Sequence, residues 1–191
     1  MTGFDRARIE AAVAEIIEAI GEDPLRPGLA STPRRVADAY GEFFSGLHVD
    51  AGSEIGEPVP LETGNAETVI MRDIAFRSVC EHHFLPFRGV AHVAYLPSTQ
   101  IIGLGRIPRV IDVLASRPQI QERLTEQIAD TLSTAVSAQG VFVVLDASHD
   151  CVTSRADRQG VSRTITTAAR GCFHDLSARA EIVSLLGGGI A

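Results

Sequence analysis

Positive charge is in short supply in this chain. Lys and Arg number 17 against 24 Asp and Glu, which leaves a formal net charge of −7 and a pI near 5.3. A general binder of phosphate backbones needs clustered bases, so nucleic acid is excluded as a partner, although a local basic pocket can still hold one anionic ligand. Long apolar runs are missing too. None approaches the roughly 20 residues that span a bilayer, and MTGFDRARIEAA mixes acids with its bases and lacks a signal-type apolar centre. The expectation is a cytoplasmic protein without a membrane partner. Cysteine is scarce and odd in number, at Cys80, Cys151 and Cys172, which argues against a disulfide framework and leaves metal binding or catalysis as the better use for two of them. No internal repeat of solenoid length is present.

What is there is a chain of 191 residues, 45% apolar with mean hydropathy +0.14, enough for one compact domain with a terminal appendage. Ile9, Val13, Ile16, Ile17 and Ile20 repeat with helical spacing before Gly21, and Thr32 is placed to cap a second helix over Pro33 to Phe44. Residues 49–65 are rich in Gly, Pro and Glu and read as a linker, so the predicted division is a helical region with linker over 1–65 and a main domain over 66–191. In that domain Glu67 to Val79 and Val90 to Pro97 read as strands. Val110 to Val136 forms two helices interrupted at Pro118, and Val141 to Ala147 and Ser162 to Phe173 are strands again. This order predicts an α+β fold, an antiparallel sheet with two packed helices. The tail LLGGGIA reads as frayed.

The chemistry concentrates in SVCEHHFLPF. Cys80 and His83 stand three apart and can converge on one ion from a tight turn, whereas the adjacent His82 and His83 cannot easily aim at one point. Thiolate plus imidazole is half of a zinc site, and a further ligand must come from elsewhere; His149-Asp-Cys151 supplies candidates. Three protein ligands would leave a position open, as catalytic zinc requires. The competing reading is that these are buried core side chains. Cys172 reads as core, and His48 and His92 carry no assigned role. In GLGRIPR two glycines precede Arg106 and Arg109 at a helix start that suits an oxyanion. Arg155 and Arg158 follow the second metal segment. Glu122 in QIQERL either complements a helix dipole or, with its neighbouring amide, reads the donor edge of a purine.

With these segments in view, the sequence resembles the GTP cyclohydrolase I family from about Ile9 to Leu186, on GEDPLRPGLASTPRRVADAYGEFFSGL, CEHHFLPFRGVAHVAYLP, RPQIQERLTEQIA and HDC. The resemblance implies a tunnelling fold whose sheets close into barrels across subunits of a homodecamer, with active sites at the interfaces. It implies Zn2+ held by Cys80, His83 and Cys151, His82 and His149 as proton-handling groups, and Glu122 as guanine anchor. Gln121 would assist at the base or ribose, and Arg109, Arg155 and Arg106 would hold the triphosphate, Arg106 standing where the family usually has lysine. The implied reaction opens the imidazole ring of GTP, releases formate and yields 7,8-dihydroneopterin triphosphate for pterin biosynthesis. Gly105 departs from the family's usual serine, and Asp150 and the stretch ADRQGVSRT depart from its usual second metal segment. Those departures keep alternatives in view: a reaction that stops at a formamidopyrimidine nucleotide, a modified purine nucleotide as substrate, or a non-catalytic purine- or pterin-binding protein.

Overall fold

The structure is a computed structural model and describes residues 3–61, 66–154 and 160–186. It divides into two compact units, Met1–Ser45 and Gly46–Ala191.

In the first unit α1 (Arg6–Ala19) begins at Asp5, whose carboxylate accepts the Arg8 N–H at 3.1 Å. Of the predicted apolar stripe, Val13 and Ile17 are buried, while Ile16 and Ile20 face outward. α2 (Thr32–Phe43) has Pro33 in its first turn and packs on α1, with Ala37 fully enclosed.

The second unit runs through a 3-10 turn at Ala51–Ile55, then β1 (Val59–Pro60), β2 (Val69–Cys80), β3 (Pro86–Leu96) and β4 (Gln100–Ile101). α3 (Arg106–Ala115), β5 (Pro118–Gln119), α4 (Gln121–Ala135), β6 (Gly140–His149), α5 (Asp150–Thr153), β7 (Thr164–Gly171) and α6 (Leu176–Leu186) complete it. The main sheet has the order β5-β2-β3-β6-β7 and is antiparallel except where β5 runs parallel to the end of β2. β1 and β4 form a separate short pair. This is the α+β arrangement expected from the sequence, with α6, the 3-10 turn at Ala51–Ile55 and the short elements β1, β4, β5 and α5 unforeseen. The boundary between units also falls at Ser45 and not near residue 65. The predicted linker belongs to the second unit because it buries apolar side chains there: Ala51 and Ile55 sit in the core, and the 3-10 turn packs on α3.

Period-two alternation gives the sheet two working faces. Phe87, Ala91, Val93 and Tyr95 of β3, Val141, Val143, Leu145 and Ala147 of β6, and Ile74 and Phe76 of β2 point toward α3 and α4 and form the larger core. The opposite face, with Ala94, Phe142 and Val144, packs against Phe173 and against Ile182 and Leu186 of α6. α4 contributes Leu124, Ile128 and Leu132, all fully buried, at steps of four. A buried hydroxyl fastens the layers: Ser78 Oγ donates to Ala115 O at 2.6 Å, tying β2 to the end of α3. Gly89 permits the close pairing of β3 with β6, since a Cβ there would lie 1.9 Å from Asp146 O.

Candidate metal centre

Cys80 ends the row Ile74, Phe76, Ser78, Cys80 on the helix-facing side of β2, so strand alternation alone brings its thiol to the edge of the core. The chain then reverses within a few residues. The Cys80 N–H donates to Leu85 O at 2.8 Å, the Phe84 N–H donates to Cys80 O at 2.9 Å, and Phe84 takes a left-handed φ of 55° to close the turn. On this curved backbone the His82 and His83 rings lie 6.5 Å apart at 83° to one another, both exposed. The two imidazoles stand edge to face.

His149 ends the corresponding row of β6, on the same face as Leu145 and Ala147, and opposes Phe87 of β3, on whose ring it stacks at 4.7 Å and 5°. α5 then carries Cys151 across the sheet end. The donor atoms of Cys80, His83 and Cys151 lie within 4.8 Å of one another. Ligands at about 2.0–2.3 Å from a tetrahedral zinc are separated by roughly 3.5–3.8 Å, so the side chains need close by only about an ångström. Two sulfurs and one imidazole nitrogen are a donor set suited to zinc, and three protein ligands leave a fourth position for water or substrate. Asp150, one of the departures from the family pattern, turns away to accept from Arg88 Nη2 at 3.4 Å.

Gln121, expected at the base or ribose, lies in the interior at 1% exposure. Its Nε2 donates to Leu145 O at 3.1 Å, Thr164 O at 2.9 Å and Thr166 Oγ1 at 3.1 Å. Two of those partners can only accept, which fixes the amide orientation and turns Oε1 toward His149 Nε2 at 2.7 Å. His149 must then carry its proton on Nε2, leaving Nδ1 for other partners. Burial lowers the pKa of His149, and the nearby Glu122 and Asp150 carboxylates act in the opposite direction. Glu122 is exposed in the first turn of α4.

A second network grips the Cys80 turn. Arg123 donates to Glu81 through Nη2 at 2.5 Å and Nη1 at 3.3 Å, and through Nε to Gln119 Oε1 at 2.9 Å. The Arg123 hydrogen bond is the main reason that the Glu81 carboxyl lies below its ordinary pKa. Sequence reasoning missed both Gln121 as a partner of His149 and the Glu81–Arg123 pair. For Gln121 a signal existed: Gln121, Leu124, Thr125 and Ile128 share the buried helical stripe, and an amide there needs partners.

Arg106 and Arg109 lie on the exposed side of the first turn of α3, behind Gly105 at its N-cap. The space beside Gly105 is open, with nothing within 4 Å of a built Cβ. Arg155 and the first four residues of ADRQGVSRT lie outside the described residues. Cys172, expected in the core, is exposed; Gly171 reverses the chain at φ 58°, and the neighbouring Phe173 takes the buried place.

Comparison with known proteins agrees with the motif resemblance. The family profile described as GTP cyclohydrolase I matches residues 9–187. A protein of Leifsonia xyli named GTP cyclohydrolase 1 is 69% identical over 191 residues, all of both chains. Relatives of the same name from Caldanaerobacter subterraneus and Streptomyces griseus are 51% and 46% identical, covering 96% of this chain and 97% and 91% of their own. A solved structure, the archaeosine synthase QueF-Like in its apo form, aligns loosely, with TM-score 0.42 and 14% identity over 58% of this chain and 97% of that one. On the profile match and the full-length identity, the chain belongs to the GTP cyclohydrolase I family.

Proposed function

We propose that this chain converts GTP and water to formate and 7,8-dihydroneopterin triphosphate, with Zn2+ as its metal. The observation that carries the reading is the convergence of the Cys80, His83 and Cys151 donor atoms from segments far apart in the chain, with His82 adjoining His83 in the ligand turn and His149 stacked on Phe87 at the end of β6. When bound, zinc supplies Lewis acidity and lowers the pKa of water toward about 7, which serves hydrolysis at purine C8 near neutral pH.

The chain's own residues do the rest. Glu122 accepts from the guanine donor edge, and Arg106 and Arg109, joined by Arg155, hold the triphosphate; arginine in place of lysine at 106 keeps the charge and adds a planar fork. His82, exposed beside the ligand turn, exchanges protons with the purine ring nitrogen as C8 is attacked and the ring opens to a formamide. His149 works through Nδ1, its Nε2–H being committed to Gln121. A second hydrolysis releases formate, after which ribose opening, rearrangement and ring closure with loss of water need only general acids and bases. Gln121 acts on substrate through His149. The active form is a homo-oligomer, a decamer by family pattern, in which neighbouring subunits complete each pocket; the lateral edge of the sheet at β7 is where a further strand can pair. Among the described residues no helix is long and apolar enough to cross a membrane, in keeping with a cytoplasmic enzyme.

Incubating the protein with GTP and identifying products by mass spectrometry tests this. Dihydroneopterin triphosphate with stoichiometric formate is expected. Accumulation of a formamidopyrimidine nucleotide would favour the truncated reaction that Gly105 raises, and unchanged GTP would leave a binding protein. Cys80→Ser and Cys151→Ser are each expected to lose zinc and turnover; unchanged metal content in either would remove that residue from the ligand set.

A further inference from the structure

The two halves of the ligand set hang from strands that are not neighbours. Cys80 ends β2 and Cys151 follows β6, and β3 lies between them in the sheet. Two strand spacings are about 9.5 Å, well beyond the separation of ligands on one ion. The halves must lean toward each other over the end of β3, and something must hold them there.

The start of α4 is placed to do so. Gln121 ties this end of the helix to β6, β7 and His149, two residues before Cys151. On the other side the Glu81 N–H, inside the ligand turn, donates to Gln119 O at 2.9 Å. Arg123 spreads its guanidinium over both Glu81 oxygens, Gln119 Oε1 and Pro118 O, the last at 3.1 Å. The Gln119 side chain is itself fastened, through Nε2, to Leu114 O at 2.9 Å and Gln127 Oε1 at 2.8 Å. The fork is thus oriented from beneath before it meets Glu81. Stability does not account for it: the Arg123 and Glu81 side chains are 39% and 35% exposed, and such pairs add little to folding.

We propose that Gln119–Arg123 is the alignment element of the metal centre, and that Arg123, acting through Glu81, is a positioning residue that holds the Cys80–His83 turn within binding distance of Cys151. The inference rests on the zinc reading above. It assigns Arg123 and Glu81 to metal affinity, without contact with metal or substrate.

The test is zinc affinity of the full-length protein, stripped of metal and titrated in competition with a chromophoric chelator. Arg123→Met and Glu81→Ala are each expected to weaken zinc binding about 10- to 100-fold, the usual effect of removing an outer partner of a metal ligand. The double variant is expected to bind no more weakly than the worse single, and Arg123→Lys to fall between wild type and Arg123→Met. The metal-free melting temperature should stay at the wild-type value throughout. Wild-type affinity in both single variants overturns the proposal, as do losses that multiply in the double variant or that track a lowered metal-free melting temperature. Failure of the wild-type protein itself to take up zinc would instead overturn the metal reading, and this inference with it.

Discussion

Gln121 shows how much one buried amide can organise. Its four hydrogen bonds join α4 to β6 and β7 and leave His149 one tautomer, because a carbonyl-only partner on each side of Nε2 leaves Oε1 as the acceptor for the ring. Gln121→Met keeps the volume and removes every polar atom. The orphaned partners in the interior cost about 1–3 kcal/mol each where water cannot replace the amide, so chemical denaturation should show a loss of at least that size. If Gln121 acts on substrate only through His149, turnover should fall with little change in KM. A raised KM with unchanged kcat would return Gln121 to the substrate. Gly105 is the opposite case, a residue with nothing around it. Serine fits the open space at a helix N-cap, where exchange with glycine is worth only a few tenths of a kcal/mol. Gly105→Ser should therefore fold as wild type and form the same product from GTP. A change of product on mass spectrometry would show that the missing hydroxyl decides the outcome of the reaction.

At the scale of elements, α4 is both a core helix and the support of the site. Leu124, Ile128 and Leu132 lie fully buried against the sheet, while Gln121 and Arg123 in its first turn, with Gln119 of β5 just before it, reach the two ligand segments. Ile128→Ala, two turns from the site, should cost about 2–5 kcal/mol in unfolding free energy, the range for emptying an aliphatic core position, and leave zinc stoichiometry intact in the folded fraction. The helix itself was legible from its apolar steps of four, and so were the strands from their β-branched runs. The two-residue β5 was not, because Pro118 signals a break and only the adjoining end of β2 turns that break into strand pairing. α6 was also illegible. Leu176–Leu186 has no sharp polar face, and its helical form follows from Asp175, whose carboxylate accepts from the Ser177 and Ala178 N–H groups, and from the apolar sheet face on which Ile182 and Leu186 rest.

Across the main unit as a whole, that second sheet face brings a pH dependence. His92 is 3% exposed and accepts the Asp73 N–H on Nδ1 at 3.3 Å, at a register shift where Asp73 adopts a φ of 58°. Burial lowers its pKa; the Asp73 and Asp146 carboxylates oppose the shift and Arg72 adds to it. A base whose folded pKa lies below its unfolded value of about 6.5 takes up more protons when unfolded as the pH falls. Its contribution to stability is complete above about pH 6.5 and is lost as the pH falls through that value toward the lowered folded one. Metal-free wild-type protein should therefore lose stability between pH 7 and pH 5 more steeply than His92→Gln, which keeps an acceptor for the Asp73 N–H. Parallel melting curves across that range would dismiss the effect.

Sequence alone determined the elements with strong periodicity, the three-residue spacing of Cys80 and His83 and, through four motifs, the family. The elements follow from local rules: side-chain direction alternates along a strand and steps by four along a helix. Tertiary structure decided where Gln121, Arg123, Glu81 and Cys172 would lie, and that residues 46–61 belong with the sheet. Each depends on partners distant in the chain, and a buried amide or an anchored guanidinium takes its role from the groups that the fold brings to it.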